Sequence, residues 1–595
     1  MRTLMRAGFL VASLALVAAG CGGGSSNKTT GASGTASGEP VSGAQKGGSL
    51  TVLSLADVDS LDPGYWYYQY DYMALAQPTQ RWLYSWKPQD TKPTPDIAQD
   101  MPQVSDGGKT LTIKIRPGIK YSAPLSGQTV KAQDIAYALT RALIPRTGNG
   151  YAGAYYRNIV GADKLLGGKS QSQPAGITTP DDNTLVLKLT EPTGALSTAQ
   201  ALALPATIPV PKSYAAKYDT GSQSTYGQHQ VFTGPYMIAN NGNGKLTGYS
   251  PGKKIALVRN PDWNGPKTGD YRPAYLNKIT FLGGNDIEVA SRKIMTGTSV
   301  ASGDFAAPPT PILKQLLTSR KSQTVIQSAG SLRMIALNTK VKPFNDANVR
   351  KAVAAVINKN TLRLTRGGPA IGAIATHVIA PGLSGYDEAG GAAGPGADFD
   401  KNPNGDLALA ESYMKKAGFS SGKYTGKPVL MVGDNQAPAS KTGEAVQNQL
   451  QQLGFKLTYR QVQHPTMLSK FCGVPKADVA ICPNLGWGKD FFDGQSFVDP
   501  LFNGKNIAQT NNSNYPQVDD PTINSKLKQA SQSSDASERA KLYGDVDKII
   551  TEGAYVVPWL WDNDINFESK NVQGVSNKFN ASWDMNYTSL KGGGT

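Results

Sequence analysis

Strands with apolar–polar alternation, followed by amphipathic helices, are the pattern that most constrains how this chain can fold. In the first such unit Leu111, Ile113 and Ile115 alternate with polar residues, which predicts a strand with one buried face. A Pro-Gly turn ends this strand, and Ile135 and Leu139 then lie one helical turn apart. We therefore expect strands and helices to follow one another within the same folded body.

A second unit of the same kind lies in the middle of the chain. Ile335–Thr339 has the composition of a strand, and Asn345 or Asp346 can cap the helix that follows. Valines at helical spacing from Val349 to Val356 predict the buried face of that helix.

Two further helices are predicted over residues 407–417 and 444–453. Each ends just before a glycine, Gly418 or Gly454, where a left-handed residue commonly terminates a helix. We interpret the apolar residues of the second helix as a core-facing stripe.

The composition is that of a folded protein, with 595 residues of which 39% are hydrophobic and 17% charged. This length allows three or four domain-sized units. The net charge is +16, but the basic residues are scattered rather than clustered. Since zinc-finger and RNP-type patterns are also missing from the sequence, nucleic acid is not an expected partner.

The N-terminal 21 residues have the features of an export signal. Arg2 and Arg6 precede an apolar run that is too short to span a bilayer. The end of this run, Leu16 to Cys21, resembles a bacterial lipobox, although Ala18 occupies the place where leucine is usual. We predict a signal peptide over 1–20 and lipidation of Cys21, with ordinary secretion as the alternative. Residues 21–47 are rich in Gly and Ser, which predicts a flexible linker.

Cys472 and Cys482 are the two cysteines outside the N-terminal segment. An exported protein meets an oxidising environment, so we predict that they form a disulfide closing a short loop. Two separate buried thiols are the alternative.

The stretch from Asn484 to Asp493 is the candidate ligand site. Ala477–Ile481 is predicted as a short buried strand, and Gly486 and Gly488 predict a turn after it. Such a turn would bring Trp487 and Asp490 to a domain surface. An aromatic ring beside a carboxylate suits a ligand with apolar bulk and a cationic end, such as a peptide's α-ammonium. The alternative is a surface turn with its Trp half buried.

A second aromatic run, Tyr65 to Tyr72, follows the first predicted strand. Trp66 and Tyr68 in this run are further candidates for lining a cleft, with ordinary packing as the alternative.

Catalytic and metal-binding patterns are not found in the sequence. Residues 161–170 lack the first glycine of a phosphate loop, because Asp163 stands in its place. The histidines His229, His377 and His464 lie far apart and have no zinc-ligand spacing. We therefore predict neither an enzyme nor a cofactor or metal site.

Many short segments of the chain resemble, in the correct order, the extracytoplasmic solute-binding proteins of family 5, the peptide/nickel class of ABC importers. The matching segments are Gly48–Val52 with Ser60–Pro63, Val104–Gly118, Phe232–Tyr236, Ile255–Trp263, Ile335–Thr339 with Pro343–Val353, Arg539–Tyr543 and Val556–Leu560. The Trp487–Asp493 stretch also resembles a family element, in which an Asp at the place of Asp490 takes the ligand's α-ammonium. Asp493 is followed by glycine here, where proline is usual.

The resemblance implies an α/β, two-lobed periplasmic-binding-protein-like fold of the class II type, with an extra subdomain inserted in lobe one. The boundaries that we predict are lobe one over 48–84, 205–330 and 555–595, the inserted subdomain over 85–204, and lobe two over 331–554.

The resemblance also implies a function. The chain would be a monomeric, lipid-anchored receptor on the outer face of the bacterial cell membrane. It would deliver a small solute, with short peptides leading and nickel complexes or sugars also possible, to an ABC permease and ATPase. A peptide-sensing or adhesion lipoprotein without a transport role is the alternative.

Overall fold

The computed structural model describes residues 41–303, 308–509 and 512–593. The predicted signal peptide and Cys21 lie outside these ranges. Within them, no helix combines the length and the apolar character needed to cross a bilayer.

The first sheet contains the N-terminal strand of the described body. Its two pairings around Ser49–Leu53 are parallel and the others are antiparallel. In spatial order its strands are Val300–Ser302, Ser49–Leu53, Lys278–Leu282, Lys254–Arg259 and Tyr236–Ile238, and Tyr249–Ser250 also pairs with Lys254–Arg259.

The inserted subdomain has an antiparallel sheet of four short strands. Leu111 and Ile113 alternate with polar residues and are fully buried, as the sequence pattern predicts. Helix Ala132–Leu143 follows, with Ile135 and Leu139 buried in the same core. The strands in order are Gln103–Ser105, Thr110–Lys114, Thr184–Lys188 and Ile177–Asp181.

The second lobe has a mixed sheet that contains the two longest strands of the fold. Thr324–Leu337 and Val556–Phe567 pair antiparallel along nearly their whole length, and we call them the crossing strands. Their register shifts between Ser328 and Ser331, which marks a bulge. The sheet order is Gly372–Ala373, Val556–Phe567, Thr324–Leu337, Ile481–Gly488, Val429–Asp434 and Leu457–Val462.

The helices carry the capping residues that the sequence predicts. Of the two candidates, the Asp346 side chain accepts a hydrogen bond from Asn348 N at the start of its helix. Gly418 and Gly454 have φ values of 93° and 81° at the ends of theirs. The helices of seven or more residues are Ala132–Leu143, Ile287–Thr296, Thr310–Leu317, Ala347–Val356, Lys359–Thr365, Leu407–Lys416, Ala439–Gln452, Gln495–Phe502, Pro521–Gln532 and Ala536–Glu552.

The prediction of a strand at Ala477–Ile481, followed by a turn, is wrong. Residues 475–477 form a single 3-10 turn, and the strand is Ile481–Gly488, so Gly486 and Gly488 lie within it. Pairing with the crossing strand Thr324–Leu337 imposes the extended conformation. A Cβ on Gly486 would lie 2.5 Å from Arg333 Nη1, so the glycine leaves room for that guanidinium.

A buried network of four charges joins the inserted subdomain to lobe one. Arg81 Nε lies 2.7 Å from Asp96 Oδ1, and Arg272 Nη2 lies 2.8 Å from Asp270 Oδ2. All four residues are buried, so each charge depends on its partners for the solvation it has lost. Burial opposes ionisation of Asp270, but Arg272 and Arg81 outweigh it and hold its pKa well below the usual range.

The two ends of the described body meet on lobe one. Gly47 N donates a hydrogen bond to Tyr275 O, and a Cβ on Gly47 would lie 2.5 Å from Gly593 O.

Taken together, the sheets and helices give an α/β, two-lobed architecture, with crossing strands between the lobes and a subdomain inserted early, as predicted. The exact residue boundaries of the lobes stay a prediction.

Gly234, in the Phe232–Tyr236 segment, offers a test of this packing. A Cβ at this position would lie 2.5 Å from the carbonyl carbon of Thr79, which is backbone and cannot rotate away. We expect Gly234→Ala to lower the free energy of unfolding by about 1–3 kcal/mol in denaturant melts. Gly488→Ala is the control, because its Cβ would meet Ser331 Oγ at an ordinary 3.5 Å. Equal unfolding midpoints for the two variants would contradict this reading.

Candidate functional site

Asp490 lies just beyond the end of strand Ile481–Gly488 and faces the inserted subdomain. Its side chain is buried, and Tyr155 Oη donates a hydrogen bond to Asp490 Oδ2 at 2.5 Å. Tyr155 belongs to the short π-helix Ala152–Tyr156 of the inserted subdomain, 335 residues earlier in the chain. The predicted surface turn is thus a buried contact between two parts of the fold.

Further tyrosines surround this contact. Tyr72 Oη and Tyr151 Oη are 3.1 Å apart, and Tyr151 Oη donates to Tyr67 O at 3.1 Å. The rings of Tyr67 and Tyr151 lie 4.7 Å apart. Phe491 packs against Tyr155 with a ring separation of 4.8 Å. The carboxylate therefore lies in an aromatic environment that contains several hydroxyl groups.

The electrostatics of Asp490 are unusual for an aspartate. Burial raises its pKa to about 7, and the hydrogen bond from Tyr155 offsets only part of that shift. Among the described residues, no basic side chain lies within ion-pair distance of its carboxylate. Burial and Asp490 also raise the pKa of Tyr155, so its hydroxyl stays protonated and can donate.

The neighbouring Lys489 does not neutralise Asp490. Its Nζ donates to Ala329 O at 2.8 Å, and its backbone N–H donates to Gly330 O at 3.1 Å. Both carbonyls lie within the bulge of the crossing strands. Burial lowers the pKa of Lys489 to about 7. Lys489 thus connects the segment that carries Asp490 to the strands between the lobes.

Trp487 lies three residues before Asp490, at the end of the same strand. It pairs with Leu332 of the crossing strand, and its Nε1 donates to Ser496 O at 2.8 Å. The indole is half-buried against the second-lobe core. A role for Trp487 in ligand contact stays a prediction.

Trp66 and Tyr68 occupy different environments. Trp66 is fully buried, and its Nε1 donates to Ser60 O at 2.9 Å, so it packs in the core in this conformation. Tyr68 is 47% exposed and stacks on Tyr70 with a ring separation of 5.5 Å. The intervening Tyr67 points toward the Asp490 environment instead, and it was not among the residues singled out from the sequence.

Cys472 and Cys482 are joined by a disulfide, and both are buried. Cys472 ends the π-helix Met467–Cys472, and Cys482 lies in the strand that leads to Asp490. The bridge therefore holds a loop of lobe two against the base of that strand.

The histidines have separate structural surroundings. His377 Nδ1 lies 2.7 Å from the buried Asp547, and His464 Nδ1 lies 3.1 Å from Asp434. His229 stacks on Tyr218 with a ring separation of 4.1 Å. In the part of the chain that the structure describes, no group of three or more His, Cys, Asp or Glu side chains is arranged to hold a metal ion.

Curated relatives align with most of the chain. The oligopeptide-binding protein OppA of Bacillus subtilis is 26% identical over 503 residues, covering 82% of this chain and 83% of the relative. The probable deoxycholate-binding periplasmic protein YgiS of Escherichia coli is 23% identical over 460 residues, covering 77% and 78%. The glutathione-binding protein GsiB of Escherichia coli O157:H7 is 26% identical over 480 residues, covering 79% and 81%.

Solved structures share the fold. The clavulanic acid biosynthesis oligopeptide binding protein 2 superimposes with a TM-score of 0.81 at 25% identity, covering 94% of this chain and 99% of that chain. DppA from Helicobacter pylori, in complex with the peptide STSA, gives a TM-score of 0.71 at 20% identity and covers 92% and 98%.

A family profile matches residues 92–509, which is more than half of the chain. That family is described as bacterial extracellular solute-binding proteins, family 5. Its match agrees with the ordered short segments seen in the sequence and with the two-lobed α/β architecture. The chain belongs to the family 5 bacterial extracellular solute-binding proteins.

Proposed function

We propose that this protein is a lipid-anchored receptor that captures a short peptide outside the cell membrane and delivers it to an ABC importer. Asp490 would bind the α-ammonium of the peptide. The observation that carries the proposal is a buried carboxylate that faces the inserted subdomain without a basic partner among the described residues.

The physical argument concerns the cost of burying charge. An ionised carboxylate away from water is unfavourable unless a cation or several hydrogen-bond donors compensate it. The one side-chain hydrogen bond described for Asp490 comes from Tyr155, and the pKa of about 7 shows that this is insufficient. A ligand ammonium would provide the missing charge, and a charge-assisted hydrogen bond of this kind contributes about 1.5–3 kcal/mol.

The relatives support a peptide as the ligand. Their names include oligopeptide-, dipeptide- and glutathione-binding proteins, and each of these ligands carries an α-ammonium. The name of YgiS gives deoxycholate, which has no ammonium group, as a competing ligand class. The uncompensated Asp490 favours the peptide class over an anionic steroid.

Lobe closure would couple binding to delivery. Asp490 follows the second-lobe strand Ile481–Gly488, and Tyr155 belongs to the inserted subdomain. A ligand that contacts both parts stabilises the closed arrangement, and only contacts that differ between the open and closed forms can shift that equilibrium. The crossing strands provide the connection about which such a motion would occur.

Lipidation of Cys21, at the start of the Gly- and Ser-rich segment 21–47, completes the proposal. One lipid chain gives only reversible membrane binding, while two or more anchor a protein stably. The receptor would thus remain beside its permease on the outer face of the membrane, as a monomer. If Cys21 is replaced in the Cys21→Ser variant, the lipid cannot be attached, and we expect the protein to be released into the medium.

Asp490→Asn tests the ammonium site directly. The substitution keeps the size of the side chain and removes its charge, so we expect the affinity for a tripeptide to fall about tenfold or more. Calorimetric titration would measure the Kd, and Asp182→Asn on the exposed surface is the matched control. N-acetylation of the tripeptide should cause a similar loss in the wild-type protein. Unchanged affinity in Asp490→Asn would remove Asp490 from the site.

Peptide affinity should also depend on pH. Since the pKa of Asp490 is about 7 in the free protein, its carboxyl is protonated below that pH and must lose the proton to pair with an ammonium. We expect the Kd to rise about tenfold for each pH unit below 7 and to level off above it. The Asp490→Asn protein should lack this dependence. A flat profile between pH 5 and 8 for the wild type would count against the assignment.

Peptide affinity should increase with pH, whereas the contribution of Asp490 to the stability of the ligand-free protein should decrease with pH. An unfolded aspartate has a pKa of about 3.9, so the raised pKa means that the folded state holds the proton more tightly. This contribution to stability is present below about pH 4 and is lost as the pH rises through about 7. Asp490→Asn should therefore melt at a higher temperature than wild type at pH 8, with the difference shrinking at pH 4. A lower Tm for the variant at pH 8 would show that the charged form is already compensated.

A further inference from the structure

A cavity of about 90 Å³ lies between the inserted subdomain and the second lobe. Tyr155 lines it, and the same residue donates the hydrogen bond to Asp490, so the cavity adjoins the proposed ammonium site. This volume is several times that needed for one water molecule, which leaves space for the end of a side chain.

The buried part of the cavity offers hydrogen-bond acceptors. Gln495 is 5% exposed, and its Oε1 has no hydrogen-bond partner among the described residues. Asp499 is 7% exposed, and its Oδ1 accepts from Asn503 Nδ2 at 2.6 Å. No basic side chain of the described residues lies within ion-pair distance of Asp499. The buried amide oxygen of Gln495 is without a partner beside this carboxylate, and a ligand donor would satisfy it.

Small residues, two exposed cations and the polar residues Asn158, Thr193, Asn506 and Ser531 complete the lining. Gly153, Ala154 and Ala195 provide an apolar wall that leaves room for methylene groups. Arg157 and Lys505 also line the cavity, but both are exposed, so the surrounding water weakens the effect of their charges on the buried acceptors. The acceptors are thus buried, while the basic groups lie toward the solvent.

Two carboxylates, Asp490 and Asp499, act electrostatically on Tyr155. Burial and Asp490 raise the pKa of Tyr155 most, and Asp499 adds to the shift. Burial also raises the pKa of Asp499, and the hydrogen bond from Asn503, the charge of Lys505 and a hydrogen bond with Gln495 offset this only in part. A second cationic group on the ligand would therefore compensate Asp499 as the α-ammonium compensates Asp490.

We propose that this cavity binds the basic side chain of the ligand, so that the preferred substrates are short peptides containing lysine, arginine or ornithine. The methylene stem would pass along Gly153, Ala154 and Ala195, and the charged end would donate to Gln495 Oε1 and the Asp499 carboxylate. This inference rests on the proposed peptide-binding function and extends it to the class of side chain.

Pairs of tripeptides that differ in one side chain test the inference. Ala-Lys-Ala and Ala-Ala-Lys would each be compared by calorimetric titration with the same peptide carrying norleucine, which has the aliphatic stem without the ammonium. We expect the lysine form of at least one pair to bind about tenfold more tightly. Asp499→Asn should remove this difference, and a cooperative thermal melt like that of the wild type would show that the variant is folded. Asp182→Asn is again the surface control.

Equal affinities for the lysine and norleucine peptides would overturn the inference, as would a preference that survives in Asp499→Asn. In both cases the proposed peptide-binding function stands if Asp490→Asn still weakens all of the peptides. If none of the peptides binds, the proposed function and the inference fall together.

Discussion

The uncompensated burial of Asp490 is the constraint on which the functional interpretation of this structure depends. A folded protein ordinarily avoids placing a carboxylate away from water without a cation, because the lost hydration is not recovered. Here the aromatic surroundings and the single donor Tyr155 do not replace the hydration that the carboxylate has lost. The pKa of Asp490 is therefore raised to about 7. The free protein tolerates this incompletely solvated carboxylate, and a ligand with a positive end would compensate its charge.

The rest of the fold holds this carboxylate in place. The disulfide between Cys472 and Cys482 secures the base of the strand that leads to it. Beyond that strand, Lys489 bonds to two carbonyls in the bulge of the crossing strands. On the other side, the charge network of Arg81 and Asp96 fixes the inserted subdomain that supplies Tyr155. The proposed ligand site and the crossing strands are therefore adjacent in space, which suits the proposed closure of the lobes on a ligand.

Features that depend on local sequence were predictable. The alternation of Leu111 and Ile113, the Asp346 cap and the terminal glycine Gly418 are set by neighbouring residues, and the structure confirms them. The strand Ile481–Gly488 was misplaced because its conformation is set by pairing with residues about 150 positions earlier. Tyr155 was missed for the same reason, since only the folded chain brings it to Asp490. The tyrosines near 151–156 were the one sequence signal that could have indicated an aromatic site there.

The contact between Gly47 and Gly593, close to Tyr275, has a practical consequence. Because Gly47 and Gly593 lie next to each other, a few residues could join them without disturbing the fold. A circular permutant could then begin in an exposed loop of lobe two, such as the one around Ser421. In such a protein the proposed lipid tether would hold the opposite lobe, so transport assays would reveal whether the proposed permease needs the receptor in one orientation.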